Sequence, residues 1–112
     1  MKKILFALML GAFSFGTEGA TSCGVSDARI IDVFQYFDGQ IFVSFDKQTG
    51  CDCPQKSRMA FSANDPDTKF IQSMVLMAYS TGRKVNALTD IEGCPVHSNS
   101  PQMNYLRVHP TN

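Results

Sequence analysis

The chain has 112 residues, in which 10 Lys and Arg residues balance 10 Asp and Glu residues. This length allows one domain at most. Zero formal net charge argues against nucleic-acid binding, because phosphate neutralisation needs a clustered excess of Lys and Arg. A hydrophobic content of 44% is too high for a disordered chain, and no apolar run reaches the roughly 18 residues that a membrane span needs.

The first twenty residues have the pattern of an export signal. Lys2 and Lys3 precede an apolar run over 4–15, which has the length of a signal-peptide core rather than of a membrane helix. Small residues follow this run, and cleavage is predicted after Gly19 or Ala20. The segment therefore directs the protein out of the bacterial cytoplasm, to the periplasm or the exterior.

This interpretation assigns 1–20 to a signal peptide and 21–112 to a single mature domain. Cleavage after Gly16 is a second option, and a lipid-anchored chain that begins at Cys23 is a weaker one. A domain of this size buries only about 60–65% of the surface of its unfolded chain, so it needs additional cross-links.

The cysteines supply such cross-links, because an even number of them in a short exported chain indicates disulfides. One residue separates Cys51 from Cys53, and a direct bridge between them would be strained, so each should reach a distant partner. Two pairings remain, 23–51 with 53–94 and 23–53 with 51–94. Zinc sites and redox motifs favour two intervening residues, so no metal and no cofactor is predicted. The predicted disulfide residues are Cys23, Cys51, Cys53 and Cys94.

Hydrophobic periodicity predicts a mainly β domain with one helix, in the order β-β-β-α-β-β. The helix falls between the third and fourth strands. The predicted strands cover 27–37, 40–46, 58–63, 85–89 and 103–109.

Asp38-Gly39 predicts a type I′ hairpin turn between the first two strands, because such a turn needs positive φ at both central residues. A hairpin centred there places one set of aromatic and aliphatic side chains on the core face. These side chains are Phe34, Tyr36, Ile41, Val43 and Phe45. The same register turns Asp32 inward, so a bulge is expected near it that returns Ile30 or Ile31 to the core.

The helix is predicted to begin at Asp65-Pro66, since an Asp side chain caps the free amides of a helix start and Pro fits the first helical position. It is predicted to end at Gly82, since glycine readily adopts the left-handed conformation that ends a helix. One apolar face should pack on the sheet. It comprises Phe70, Ile71, Met74, Val75, Met77 and Ala78. The opposite face combines small polar residues with one leucine, and it suits either contact between subunits or plain solvation. It consists of Lys69, Ser73, Leu76 and Ser80.

Five short strands with a helix between the third and the fourth match the chain order of an OB-fold barrel. In that topology the start of the first strand lies near the ends of the second and fourth, where the cysteines also fall. The fold class predicted is therefore a small, disulfide-stapled, OB-fold-like barrel. An open α+β sheet with the helix on one face is the alternative.

Two segments resemble the B subunits of the subtilase cytotoxin and typhoid toxin type. One is Ser26-Asp27 at the head of the first strand, and the more specific one is the helix exit over 78–85, Ala-Tyr-Ser-Thr-Gly-Arg-Lys-Val. The resemblance implies an exported OB-type protein that forms a pentameric ring and binds sialylated glycans on host cells. It also implies a toxin A subunit as partner and helices that line the central pore of the ring.

The resemblance gives Ser26 the role of contacting the carboxylate and glycerol groups of the sugar. Asp27, Arg29 and Tyr105 complete the predicted ligand site, because a glycan site needs fixed polar groups and an aromatic platform. Arg29 or Arg107 could pair with a sialic-acid carboxylate. The other aromatic candidates are Tyr36, Phe37, Phe42 and Tyr79.

Catalysis is not expected. The two histidines, His97 and His109, both lie late in the chain, and the sequence has no Gly-x-Ser-x-Gly, His-Glu-x-x-His or phosphate-binding glycine loop. The second interpretation of the function is a stand-alone periplasmic or secreted domain, stabilised by disulfides, that binds a protein partner and has no toxin role. A third hypothesis, a small exported enzyme or enzyme inhibitor, is supported only by the variety of functions that such a fold can host.

Overall fold

The computed structural model describes residues 23–110, so the predicted signal peptide lies outside the described residues. The elements follow the predicted order β-β-β-α-β-β. A short 3-10 turn, Pro66–Thr68, leads into the helix α1, Lys69–Thr81. The strands are β1 (Cys23–Gln35), β2 (Gln40–Phe45), β3 (Arg58–Ser62), β4 (Lys84–Thr89) and β5 (Tyr105–Val108).

The five strands form one sheet in the order β3-β2-β1-β4-β5, and all neighbours are antiparallel. A parallel bridge between Ala60 of β3 and Gln102, just before β5, joins the two edges. The backbone N–H of Ala60 donates to the carbonyl of Pro101 at 3.0 Å, and that of Met103 donates to the carbonyl of Ala60 at 2.7 Å. The sheet is thus a closed, OB-fold-like barrel, and the open α+β alternative is excluded.

The predicted bulge in β1 is confirmed. Toward β2 the register shifts between Ile30 and Asp32, so that Ile31 lies opposite no partner. Ile30 is buried in the core whereas Ile31 is exposed. The extra residue bends β1 and lets it pair with β2 along one half and with β4 along the other.

The predicted hairpin register is wrong by one residue. Phe34 pairs with Phe42, and the backbone N–H of Tyr36 donates to the carbonyl of Gln40 at 2.8 Å, which leaves a three-residue loop. Within this loop only Gly39 has positive φ, at 88°, whereas a type I′ turn needs two such residues. Since a one-residue shift reverses the face of a strand, Phe34 and Tyr36 lie on the outer face.

The barrel interior holds the main core, which α1 closes from one side with Val75 and Ala78. Ile71 and Met74 pack beside them, as predicted. Phe70 and Met77 do not, because they lie on the solvent side of the helix, and Phe70 is 74% exposed. The buried core residues are Val25, Ala28, Ile30, Val43, Phe45, Met59, Phe61, Val75, Ala78, Val85, Ala87, Met103 and Leu106.

The predicted end of the helix at Gly82 is confirmed, whereas Asp65-Pro66 begins the 3-10 turn and the α-helix itself starts at Lys69. The Asp65 side chain accepts a hydrogen bond from the backbone N–H of Asp67 at 2.9 Å. Gly82 has φ 74°, and its N–H donates to the carbonyl of Ala78 at 2.9 Å. A left-handed residue at this point stops the helix and directs the chain into β4.

The disulfides are Cys23–Cys51 and Cys53–Cys94, which is the first of the two predicted pairings. One bridge ties the start of β1 to the loop after β2, and the other ties that loop to the loop after β4. Disulfides persist in oxidising compartments such as the periplasm and the cell exterior. Within residues 23–110 we find no helix with the length and apolar character needed to cross a bilayer.

Candidate functional site

The predicted ligand residues lie together on the outer face of β1, β4 and β5. Arg107 pairs with Asn86, and Tyr105 pairs with Leu88. Because alternate residues of a strand face the same side, these four side chains lie outside the barrel, opposite the buried core residues. Arg29, on β1, pairs with Lys84 at one end of the same face.

Ser26 and Asp27 occupy a second irregularity of β1. The register with β4 shifts between Val25 and Ala28, so both intervening residues are exposed. Asp27 has φ 53°, a left-handed conformation that Asp tolerates better than most residues. Its backbone N–H donates to Asn86 Oδ1 at 3.0 Å. The bulge therefore presents two neighbouring polar side chains where a regular strand would present one.

His109 holds this bulge in place. Its Nε2 lies 2.9 Å from Asn86 Oδ1, and its Nδ1 lies 3.4 Å from Asp27 Oδ1. Asn86 Oδ1 accepts from Asp27 N–H and from His109 at once, which fixes all three residues. The sequence carried no signal for Asn86 or His109 as site residues, because only the strand pairing brings them next to Asp27.

A cluster of basic side chains surrounds the bulge. Lys47 Nζ donates to the carbonyl of Ser26 at 3.1 Å, and Arg29 Nε donates to the carbonyl of Gly82 at 3.0 Å. Arg83 donates to the carbonyl of His109 at 3.1 Å. We define the basic cluster as Arg29, Lys47, Arg83, Lys84 and Arg107.

Two carboxylates take part in this cluster, Asp27 and Asp46, and Asp46 Oδ1 accepts from the backbone N–H of Arg29 at 2.9 Å. A third carboxylate, Asp90, lies beside Tyr105 and accepts from Asn104 at 2.6 Å. Five basic side chains against these three leave a local excess of two positive charges, although the whole chain has zero formal net charge. Such a field attracts anionic ligands.

Tyr105 provides the aromatic platform at the other end of the face. It is half exposed, and together with Leu88 and Asn104 it lines a shallow cleft of about 270 Å³. Tyr105 and Arg107 are two residues apart on β5, which separates them by roughly 7 Å. Ser26 and Asp27 lie opposite Asn86 on β4, and Arg107 lies on the far side of Asn86, roughly two strand spacings or 10 Å away. Tyr105 lies further along β5, and Arg29 is held at the end of the helix.

The predicted oligomer face of α1 is exposed to solvent. Leu76 is 60% exposed, and Ser73 and Ser80 flank it. The Ser80 hydroxyl donates to the carbonyl of Met77 at 3.1 Å, and Lys69 Nζ donates to the carbonyl of Ala63 at 3.0 Å. The polar groups on this side are thus bonded within the chain, and the apolar Leu76 projects from among them.

Comparison with protein-family models found no match, and neither did comparison with curated protein sequences. Among residues 23–110, no three His, Cys, Asp or Glu side chains are grouped so that they could hold a metal ion.

Proposed function

We propose that this chain is an exported, non-catalytic B-subunit-like protein that binds sialylated glycans on host cells through the outer face of β1, β4 and β5. The observation that carries the proposal is the basic cluster around the Ser26-Asp27 bulge. A sialic acid combines a carboxylate with a hydroxylated glycerol chain. An exposed guanidinium beside fixed hydroxyl, carboxylate and amide groups matches both parts.

Each group on this face has a distinct role in the proposed complex. Arg107 pairs with the sugar carboxylate, because it is exposed across Asn86 from the bulge while the Nε of Arg29 is engaged with the helix end. Ser26 and Asp27 bond the glycerol hydroxyls. Tyr105 supports the apolar side of the next sugar ring, since an aromatic ring offers a flat apolar surface with a polar tip.

Export and assembly belong to the same proposal. The signal-peptide pattern and the two disulfides support a periplasmic or secreted location. The exposed side of α1 with Lys69, Ser73, Leu76 and Ser80 supports a ring in which helices of neighbouring copies meet. By the resemblance of its helix exit, such a ring is pentameric and carries a toxin A subunit.

The binding proposal is tested by titrating the oxidised mature chain with 3′-sialyllactose and following its amide signals by NMR. We expect signals of residues 26–29 and 105–107 to shift. Arg107→Gln should weaken binding about tenfold or more, because it removes a charge-assisted hydrogen bond. Ser26→Ala should also weaken it, whereas Lys56→Gln, a change of an exposed lysine outside the cluster, should not. Binding that ignores both site variants contradicts the proposal.

Native mass spectrometry tests the ring separately. The oxidised mature chain should appear as a pentamer, and Leu76→Asp should dissociate it while leaving the fold intact, because Leu76 is exposed in the single chain. The matched control is Gln48→Asp, an exposed loop position away from α1. A monomer at micromolar concentration excludes the ring.

A stand-alone domain that binds a protein partner is the second candidate. It is supported by the exposed apolar side chains of α1, Phe70 and Leu76, which a partner could cover as well as a sister subunit. A monomeric chain that ignores sialosides and forms a complex of fixed stoichiometry with one envelope protein would favour this candidate.

A further inference from the structure

A second surface lies on the outer face of β1, β2 and β3, on the side of the barrel away from the candidate site. It combines aromatic rings with polar groups. We name it the aromatic shelf. The rings of Phe34 and Phe42 stack at 5.1 Å between centroids, and Tyr36 meets Phe42 edge-on at 5.6 Å. The imidazole of His97 lies 4.9 Å from Tyr36 and 5.0 Å from Phe42. The shelf consists of Phe34, Tyr36, Phe37, Asp38, Phe42, Arg58 and His97.

The floor of the shelf is rigid. Phe42 is only 1% exposed, and it packs with Ala60 and Val96 in a cluster separate from the barrel core. The guanidinium of Arg58 lies 4.7 Å from the centroid of Phe42. It also donates to Ser100 Oγ at 3.1 Å and to Asn99 Oδ1 at 3.2 Å. Arg58 therefore joins the rings to the loop after β4 through its Nε and one terminal nitrogen, and its positive charge lies against the ring of Phe42.

The rim of the shelf is open and carries both apolar and polar groups. Tyr36 is 51% exposed and Phe37 is fully exposed, and both border a cleft of about 300 Å³. Beside them Asp38 Oδ2 lies 2.8 Å from His97 Nε2. The bond with His97 and the Gln40 backbone N–H lower the pKa of the Asp38 carboxyl, so Asp38 presents an anionic acceptor with one oxygen directed to His97.

The loop that holds His97 over the rings is strained. His97 has φ 53° and Ser98 has φ 58°, two consecutive left-handed residues that are not glycine. Such conformations are uncommon for residues other than glycine, and they persist where the surroundings impose them. Here the strain keeps the His97 ring against Tyr36 and beside Asp38.

We infer that the aromatic shelf is a second carbohydrate site, specific for an uncharged pyranose that stacks on Tyr36 and Phe37 and hydrogen-bonds Asp38 and His97. The apolar C–H face of a pyranose fits a flat exposed ring, and its hydroxyls fit a carboxylate acceptor and an imidazole. In OB-type barrels the outer face of strands two and three, with the loops that follow strands one and four, is where oligosaccharides or oligonucleotides bind.

The charges on the shelf select among these ligands. A single-stranded nucleic acid needs a basic groove that follows its phosphates, whereas the exposed charge beside Tyr36 and Phe37 is the Asp38 carboxylate. The same carboxylate repels a sialic acid. The shelf and the basic cluster share no residue, so this inference does not depend on the proposed function.

The test is a titration of the oxidised mature chain with lactose and with maltose, followed by ¹H–¹⁵N NMR and by saturation transfer to the sugar. One neutral disaccharide should bind with a Kd of roughly 1 mM, as expected for a shallow site, and should shift amide signals of residues 36–39 and 96–100. Phe37→Ala, at a fully exposed position, should weaken binding about tenfold or more without unfolding the chain. Asp38→Asn should weaken it as well.

Tyr79→Ala is the matched control, since it removes an exposed aromatic ring from α1, outside both proposed sites. It should leave the neutral sugar bound. The inference is overturned if neither disaccharide shifts the shelf signals, or if Tyr79→Ala abolishes the binding while Phe37→Ala does not. Because sialyllactose itself contains lactose, binding of its sialic acid is read from residues 26–29 and 105–107 alone, and failure there leaves this result unaffected.

Discussion

Asp38 and Asp27 are exposed carboxylates that meet a histidine at opposite ends of the molecule. Asp38 sits in the β1–β2 loop and bonds His97 from the loop after β4, 59 residues away along the chain. Asp27 sits in a bulge beside His109. The Asp38–His97 pair joins the β1–β2 loop to the loop after β4. The Asp27–His109 pair joins the start of β1 to the segment after β5.

The Asp38 pair predicts a specific pH dependence. The hydrogen bond with His97 and the backbone N–H of Gln40 lower the pKa of Asp38 in the folded state. A depressed carboxyl pKa stabilises the fold above the unfolded-state pKa of about 3.9, and that contribution is lost as the pH falls through the folded value. The difference in unfolding free energy between wild type and Asp38→Asn should thus be constant near neutral pH and shrink in acid.

Urea unfolding between pH 7 and pH 2 measures this difference. In a His97→Gln background the effect of Asp38→Asn should be smaller, because the first cause of the lowered pKa has been removed. A difference that stays the same in acid as at pH 7 would contradict the account.

The strands and the helix could be predicted from the sequence because each carries its own periodicity and end signals. Asp65-Pro66 and Gly82 mark the helix ends through local chemistry, and the structure uses them in that way. The hairpin register could not be fixed in the same manner, since Asp38-Gly39 is compatible with a two-residue and a three-residue loop. The choice depends on whether Asp38 adopts positive φ, and here only Gly39 does.

The sequence suggested Ser26, Asp27, Arg29 and Tyr105 as ligand residues, but not the residues that connect the strands carrying them. Ser26 and Asp27 stood out through a local motif, whereas Asn86 and His109 reach them through the β1–β4 and β4–β5 pairings. No local pattern encodes a contact between residues 59 or more positions apart. Tyr36, Phe37 and Phe42 were aromatic candidates in the sequence, but nothing there joined them into one surface with His97, and the predicted register placed Phe34 and Tyr36 in the core.

The β1–β4 pairing itself predicts a stability effect at Gly24. A Cβ at this position would overlap the carbonyl oxygen of Ala87 on the neighbouring strand. Backbone cannot move aside as a flexible side chain can, so Gly24→Ala should lower the unfolding free energy by about 2 kcal/mol or more. Gly50→Ala is the control for backbone conformation: its φ of 75° makes alanine cost about 1 kcal/mol, but its Cβ meets nothing within 4 Å. An equal loss in both variants, measured by urea unfolding, would contradict the predicted overlap.

At the scale of the whole molecule, the barrel is held by a small core together with cross-links in its long loops. The loops over 46–57 and 90–104 contribute no strand to the sheet, yet they bear Cys51, Cys53 and Cys94 together with His97 and the segment that bridges to Ala60. Their placement depends on Cys53–Cys94 and on the bonds of Arg58 to Asn99 and Ser100. The disulfides therefore act on the same loops that would bind ligands.

Removing the Cys53–Cys94 bridge should therefore cost stability and loosen the shelf together. This bridge spans 41 residues, for which loop-closure entropy gives about 4 kcal/mol. That is a large share of the 5–15 kcal/mol typical of a domain, so the Cys53→Ala, Cys94→Ala double variant should melt many degrees lower. Removal of Cys23–Cys51 should cost a similar amount but leave the NMR signals of residues 96–100 in place, because that bridge ties β1 instead. If oxidised and reduced chains melt at the same temperature, the bridges do not support the barrel.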